Sequence, residues 1–535
     1  MRHPRSTSHS ASLVVALAGT ALLVGCAPPD RPLSGVAGNS SGGAAGTVGA
    51  GGTSGTAGNG GTAGGAAGGT TGAGGIATVG TGGRGGGSAG AGGGPTAGTT
   101  GTAGTGAGGV AGTGTAGSSG GAGASGGSGG TAPPRGPTPA ANGVNYPFPQ
   151  NRENTRCTYP TGYLNADVMA AYAKWKTDTV VSAGTGMRRI QRTPSDPVNM
   201  YTPAMSTVSE GIAYGMLIAV YMGAKDDQML FDDLWRYSQA HLNANGLMHW
   251  GIASNGTTIT GQGGATDADE DIAFALVMAD KQWGSAGTLN YLNLAKTQIN
   301  NIWLHEIVDS KLAGPGDSWG PTNLWANINI SYFAPAFYRV FKQVDPGHDW
   351  DAVIKTTYDI IIQSLTTTNG NLNNGLVPAW CASSNNMVSG SQAGPFHYQY
   401  DSCRTPFRIA LDWCWFGETR ARDYLMKTSN FFSGIGAANI VDGYELTGAK
   451  KVQFSPATGT PTIAQQSASF LGPAGVGAMV GATYQTFINE TYTRVATMQA
   501  NVGGAYYDES WAVMSLLMMT GNMLNYTDPT ISPIR

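Results

Sequence analysis

Charge is scarce in this 535-residue chain: Asp, Glu, Lys and Arg make up 11% of it, and the formal net charge is −3. A near-neutral balance without basic runs gives no electrostatic footprint for nucleic acid and no polybasic membrane surface. Histidine is also sparse, with seven residues scattered so that no pair stands at ligand spacing on one helix, and no CxxC occurs among the five cysteines. Zinc chemistry is therefore not expected. Strand-like alternation is rare, and no apolar run in the second half is long enough to span a bilayer.

What is present divides the chain in three. Arg2 and Arg5 precede a mostly apolar stretch from Leu13 to Val24, and Leu23-Val24-Gly25-Cys26 follows the pattern of a bacterial lipobox. Residues 1–25 are thus expected to be a lipoprotein-type signal peptide and Cys26 the site of lipid attachment, with the mature protein exported and held at an outer membrane or cell surface, or else secreted. The plainer alternative is an ordinary signal peptide with an incidental cysteine. Residues 26–139 read as a disordered, lipid-anchored linker of Gly, Ala, Thr and Ser, since 45 of the 84 glycines lie between 35 and 130 and nothing there forms a core. A flexible chain of this kind spans roughly 50–60 Å.

Residues 140–535 carry the fold. Their apolar pattern is helical almost throughout, with about twelve segments starting near 164, 209, 229, 269, 288, 331, 349, 403, 419, 475, 484 and 507. Six helical hairpins closed into a ring would bury such segments economically. The four remaining cysteines, Cys157, Cys381, Cys403 and Cys414, allow three pairings; a weak preference goes to Cys381 with Cys403, with Cys157 and Cys414 paired or free.

Acidic residues crowd three helix starts. Asp267, Asp269, Glu270 and Asp271 open an apolar pattern at Ile272, Leu276, Ala279 and Trp283; they fail as a calcium loop because Ile272 and Met278 stand where Gly and Glu are required. Thr207-Val208-Ser209-Glu210 precedes another helix and Asp401 a third. Helix capping is the simple reading of each: Thr207 with Glu210 as a capping box, Thr266 or Asp267 as a cap, and Asp401 as a cap paired with Arg404. Gly211 and Gly215, inside an apolar helix, indicate that another group approaches closely there. In a ring of hairpins the inner helices run parallel, so Glu210, Asp267 and Asp401 would gather on one face.

The motifs Ser209-Glu210-Gly211-x-x-Tyr214-Gly215-Met216, Ala265-Thr266-Asp267-Ala268-Asp269-x-x-Ile272-Ala273, Ser331-Tyr332-Phe333-x-Pro335 and Tyr400-Asp401-x-x-Arg404 resemble, in this order, those of glycoside hydrolase family 8. The resemblance spans 140–535 and implies an all-α, (α/α)6 barrel that hydrolyses a β-1,4-linked polysaccharide with inversion. It implies Glu210 as general acid, Asp401 as base and Asp267 as the residue that binds and distorts the sugar. A helix N-terminus favours an ionised carboxyl, whereas an acid must hold a proton; a negative Asp267 and burial under sugar would favour the protonated form.

Flat aromatic faces that bind sugar are expected among Trp250, Trp319, Trp325, Tyr332, Tyr400, Tyr506 and Tyr507, with Trp250, Tyr332 and Tyr400 favoured because they stand in or beside the motifs. Arg404 is expected to orient Asp401 or bind a hydroxyl, and Arg408 to be structural. Endoglucanase is the first expectation and xylanase the second; a chitosanase would show surplus acids in its cleft. A non-catalytic carbohydrate-binding lipoprotein is the rival from another class, disfavoured because binding alone needs no acid and base together. No cofactor or metal is implied, the partner is a polysaccharide, and a monomer is expected.

Overall fold

The computed structural model describes residues 143–319, 324–451, 453–454, 461–462, 465–501 and 505–534. The signal, Cys26 and the whole of the linker expectation lie outside them. Among the described residues there are twelve α-helices: α1 (Asn165–Thr179), α2 (Ser209–Met222), α3 (Lys225–Gln239), α4 (Thr266–Trp283), α5 (Tyr291–His305), α6 (Pro335–Val344), α7 (Trp350–Ser364), α8 (Thr405–Phe416), α9 (Thr419–Ile435), α10 (Ala468–Ala478), α11 (Gln485–Asn501) and α12 (Tyr506–Met519). The strands are short and serve the connecting loops. No described helix is long and apolar enough to cross a membrane.

The even-numbered helices form the inner ring. Each packs on the next, α2 on α4, α4 on α6, α6 on α8, α8 on α10 and α10 on α12, and α12 closes on α2. Of the odd-numbered helices, α3, α5, α7, α9 and α11 each pack on the inner helix before them in sequence, while α1 packs on α12. Burial follows this order: every residue of α2 and of α10 is buried, whereas α3 buries one stripe that includes Leu230, Phe231, Leu234 and Trp235. A helix apolar all round belongs between neighbours, and a striped one belongs on the outside. The structure is an (α/α)6 barrel.

The glycines of α2 behave as their sequence context predicts. A Cβ on Gly215 would lie 2.8 Å from Leu234 and 3.0 Å from Ile190, and one on Gly211 would meet Ile190 and the Tyr506 ring at 3.3 and 3.4 Å. Glycine lets α3 and the strand Arg188–Ile190 approach the backbone of α2.

The ring has a seam on the face where the inner helices end. Residues 145–152 run across the C-terminal ends of α4, α2 and α12: Asn145 N–H donates to Gln282 O (2.9 Å), Phe148 N–H to Met222 O (3.3 Å) and Arg152 N–H to Gly521 O (2.8 Å). The last described segment returns to them, with Ile534 N–H donating to Asn145 O at 3.0 Å.

The cysteine expectation is corrected here. The disulfide joins Cys157 to Cys414 across 257 residues of sequence, and Cys381 and Cys403 are buried free thiols. The fold places the latter two in separate surroundings. Cys381 lies in the strand Trp380–Ser384 against Ile328, while Cys403 directs Sγ at Tyr400 O (2.9 Å) and the Tyr507 hydroxyl (3.7 Å). Closing so long a loop stabilises the folded state by about 2–5 kcal/mol, and it pins the entering segment to the far end of α8.

Candidate active site

Glu210 and Asp267 occupy the same position, the second residue, of α2 and α4. Neither helix has a side-chain cap. The capping-box expectation fails because Val208 is the N-cap, while the Thr207 hydroxyl donates to Ile190 O (2.8 Å) and accepts from Arg189 (2.7 Å). Instead, the Ser209 N–H at the start of α2 donates to Trp250 O at 2.9 Å. Asp401 stands just ahead of the 3-10 turn Ser402–Arg404 that leads into α8, also without a capping bond from its side chain. The three carboxylates are therefore available to one another rather than spent on their own helices.

Arg404 gathers them. Its Nη1 donates to Glu210 Oε2 and to Asp267 Oδ2, both at 2.6 Å, and to the Tyr214 hydroxyl at 3.3 Å. Its Nη2 donates to Asp401 Oδ1 at 3.2 Å and to Ser331 Oγ at 2.7 Å. The guanidinium is fully buried and lies over the Tyr332 ring, 5.1 Å from its centroid. Burial works against its charge, but Tyr507, Tyr214, Asp267 and Glu210 outweigh burial and push its pKa up. A permanently charged planar fork suits this task, because one group must meet several carboxylates at fixed angles.

Further contacts fix each acid. The Tyr506 hydroxyl donates to Glu210 Oε1, so Glu210 accepts on both oxygens. Gln399 Nε2 donates to Asp401 Oδ2 at 3.1 Å. Ser331 passes the arrangement on by donating to Asn329 Oδ1 at 2.7 Å. One helical turn past Arg404, Arg408 forms a bidentate pair with Asp271 at 2.8 and 3.0 Å, joining α8 to α4 beneath the site. Burial pushes the Asp271 carboxyl up to about 6 despite that partner. Arg408 is structural, as expected.

The aromatic candidates separate. Trp250 is half-buried, with Tyr201 tilted toward it at 5.9 Å and Gly261 lying flat against its ring, where a Cβ would come within 2.3 Å. Tyr400 is half-buried, its hydroxyl donating to Asp442 Oδ2 at 3.1 Å. Tyr332 is buried between Arg404 and Trp380, Tyr506 is buried against Glu210, and Tyr507 donates to Tyr400 O at 2.7 Å. Tyr332 and Tyr506 contribute from behind or beside the carboxylates rather than as open faces, while Tyr507 is half-buried and packs edge-on against Tyr400. Trp325 donates to Asp309 Oδ2 at 3.0 Å in a separate loop. The side chain of Trp319 lies outside the described residues.

Sequence reasoning missed Gln399, Ser331 as a ligand of Arg404, and Tyr201 beside Trp250. Ser331 stands in a quoted motif, and Gln399 lies two residues before Asp401, so both carried a positional signal. Tyr201 carried none, because its loop is placed only by the folded chain. Among the described residues no cluster of His, Cys, Asp and Glu has the geometry of a metal site.

A helical ring that presents several carboxylates at the N-terminal mouth of its inner helices is built for acid–base cleavage of a glycosidic bond. Comparison with known proteins agrees: the family model Glycosyl hydrolases family 8 matches residues 153–521. Endoglucanase A of Acetivibrio thermocellus is 38% identical over 367 residues, 68% of this chain and 70% of that protein. The reducing-end xylose-releasing exo-oligoxylanase Rex8A of Paenibacillus barcinonensis is 29% identical over 252 residues, 43% of this chain and 62% of its own. The solved β-1,3-1,4-glucanase of Paenibacillus sp. X4 superposes with a TM-score of 0.62 at 30% identity, covering 71% of this chain and all of that one. The chain belongs to glycosyl hydrolase family 8, an inverting family, and is a glycoside hydrolase.

Proposed function

We propose that this enzyme is an inverting endo-β-1,4-glucanase in which Glu210 protonates the departing glycosidic oxygen, Asp401 activates the attacking water and Asp267 binds and distorts the sugar at the cleavage point. The observation that carries this reading is the convergence of these three carboxylates on one Arg404 guanidinium. Contacts of 2.6 and 3.2 Å from two nitrogens of one planar group put Glu210 Oε2 and Asp401 Oδ1 at most about 8 Å apart. That bound is compatible with the ~6.5–9.5 Å that leaves room for a water in an inverting enzyme. Trp250 with Tyr201, and Tyr400, supply half-buried aromatic surface for sugar rings.

Support for glucan over xylan comes from the relatives. The endoglucanase is more similar and matches over more of both chains than the xylose-releasing enzyme. Reducing-sugar release by the folded part is expected to be highest on carboxymethyl cellulose or mixed-linkage β-glucan, with xylan and chitosan at least about tenfold lower, a difference that one or two pocket contacts supply. A preference for xylan would overturn the substrate assignment. Binding without hydrolysis of any polymer would favour a carbohydrate-binding role.

We further propose that the enzyme is exported and lipid-anchored through Cys26, with residues 26–139 as its tether and residues 140–535 as the catalytic domain. The order of Arg2, Arg5, the apolar stretch and Leu23-Val24-Gly25-Cys26 supports this. Cys26→Ser, expressed in a two-membraned bacterium, is expected to move the protein out of the membrane fraction. Unchanged membrane retention would overturn the anchor.

A further inference from the structure

Behind the site, on the side of α4 away from Arg404, lie acids that the proposed reaction does not use. Asp269 and Glu306 are fully buried, the first on the opening turn of α4 and the second closing the C-terminal end of α5. Asp269 Oδ1 accepts from Gln298 Nε2 at 3.0 Å. No donor of hydrogen-bond geometry from any described residue reaches Asp269 Oδ2 or either oxygen of Glu306. Both carboxyls press on one point, since a Cβ on Gly264 would meet Asp269 Oδ2 at 2.8 Å and Glu306 Oε1 at 3.2 Å. Those two oxygens therefore lie within about 6 Å of each other.

The surroundings offer no compensating charge. Asp267, Glu270 and Asp271 come from α4, and Asp317 from the 3-10 turn Asp317–Trp319, beyond the hairpin that follows α5. Asp317 is itself held by Asn243 (2.6 Å), Asn245 (2.8 Å) and the Gly264 N–H (2.7 Å), with His249 beyond it. Glu270 is bonded by Tyr338, and Arg408 is committed to Asp271. The Thr266 hydroxyl is the nearest donor to Glu306, though it makes no hydrogen bond of full geometry there. No lysine or arginine among the described residues forms an ion pair with Asp269 or Glu306. Two charged carboxylates in such a place would repel at close range in a poorly screened interior, and each would keep donorless oxygens.

We propose that Asp269 and Glu306 share one proton, and that this acid–acid bridge positions Asp267 by fastening the first turn of α4 to the end of α5. The bridge supplies the missing donor and removes one of the two charges, as in other close carboxyl pairs. Gly264 leaves room for it, and the Gly264 and Thr266 N–H groups, donating to Asp317 Oδ1 and Pro315 O, hold the segment that enters α4 against it. Asp267 sits two residues before Asp269 on that same turn. Burial first, then Asp317 and Asp267 for Asp269, and Asp269, Asp317 and Glu270 for Glu306, push both carboxyls well above the usual range.

The sign of the pH effect follows. A carboxyl whose folded pKa is raised stabilises the fold fully below its unfolded value near 4, and that contribution is lost as pH rises through the folded value. Wild-type unfolding temperature is therefore expected to fall from about pH 5 toward about pH 9, and Glu306→Gln, whose amide donates to Asp269 without titrating, is expected to flatten that slope. Asp269→Asn gives the same test if the first variant does not fold. Parallel slopes in wild type and variant overturn the shared proton.

The positioning role rests on Asp267 binding sugar and is measured separately, in a Glu210→Gln background so that loss of the acid's proton does not intrude. There, affinity for cellopentaose is expected to weaken at least about fivefold between about pH 6 and pH 9, and adding Glu306→Gln is expected to remove that dependence. A flattened unfolding slope with unchanged pH dependence of binding overturns the positioning role while leaving the proton in place. In wild type, the infrared carbonyl absorption of a protonated carboxylic acid is expected near neutral pH, and its absence overturns the proposal without any variant.

Discussion

Glu210→Gln is expected to lower kcat on carboxymethyl cellulose by about 10³-fold while oligosaccharide binding stays within about threefold, the range for removing a general acid without removing a contact surface. Glutamine keeps the size of the side chain and an oxygen for Arg404 or Tyr506, so the site should hold its shape. The lost proton matters only when the leaving oxygen is a poor leaving group. A substrate with an activated aryl leaving group should therefore recover much of the rate in Glu210→Gln. Asp401→Asn should show a comparable loss with no such recovery, because water still needs a base. If the aryl substrate rescued Asp401→Asn instead, the two roles would have to be exchanged. Activity of Glu210→Gln within about tenfold of wild type would remove it from the acid role.

Arg404→Met is expected to destabilise the domain by about 3–5 kcal/mol, the usual consequence of leaving buried carboxylates without their counter-charge, and to abolish detectable hydrolysis. Three acids, Glu210, Asp267 and Asp401, lose their common partner at once. Arg404→Lys restores a positive charge at the same place and should recover part of the stability. It should not recover activity beyond about 1% of wild type, since a single ammonium cannot reproduce contacts made by separate nitrogens of a planar fork. Thermal unfolding and kcat, measured on both variants, separate the two effects. A fully active Arg404→Lys would show that charge alone, and not the fork, organises the acids.

Much of this was legible in the residues because helices leave a period. Predicted starts near 164, 209, 349, 403, 419, 484 and 507 fall within two residues of the observed ones, where apolar stripes or acid-rich first turns mark the boundary. The start near 331 was early because Ile330–Tyr332 forms a 3-10 turn, and Pro335, which suits the first turn of a helix, begins α6. The start near 475 was late because Gly472, Pro473, Gly475 and Gly477 disguise α10. Inside the ring these small residues let neighbours pack close: a Cβ on Gly472 would meet Ser515 at 2.3 Å, and one on Gly475 would meet Thr491 at the same distance.

The meeting of Glu210, Asp267 and Asp401 was also legible, from parallel inner helices and from motif order. The agent of that meeting was only half visible. Arg404 was assigned to Asp401, its sequence neighbour, whereas its shortest bonds go to Glu210 and Asp267, 194 and 137 positions away. The cysteines failed for the same reason. Pairing Cys157 with Cys414 depends on where the entering segment crosses α8, and no local pattern records that.

The seam at residues 145–152 and 534 gives the enzyme a handle and a mouth on opposite sides. Both ends of the folded part meet across the C-terminal ends of the inner helices, while the carboxylates occupy the N-terminal ends. Whatever holds this domain by either end grips it from behind. A solid support, a fusion partner or an envelope attached there leaves the N-terminal ends of the inner helices, and the carboxylates they carry, on the opposite side.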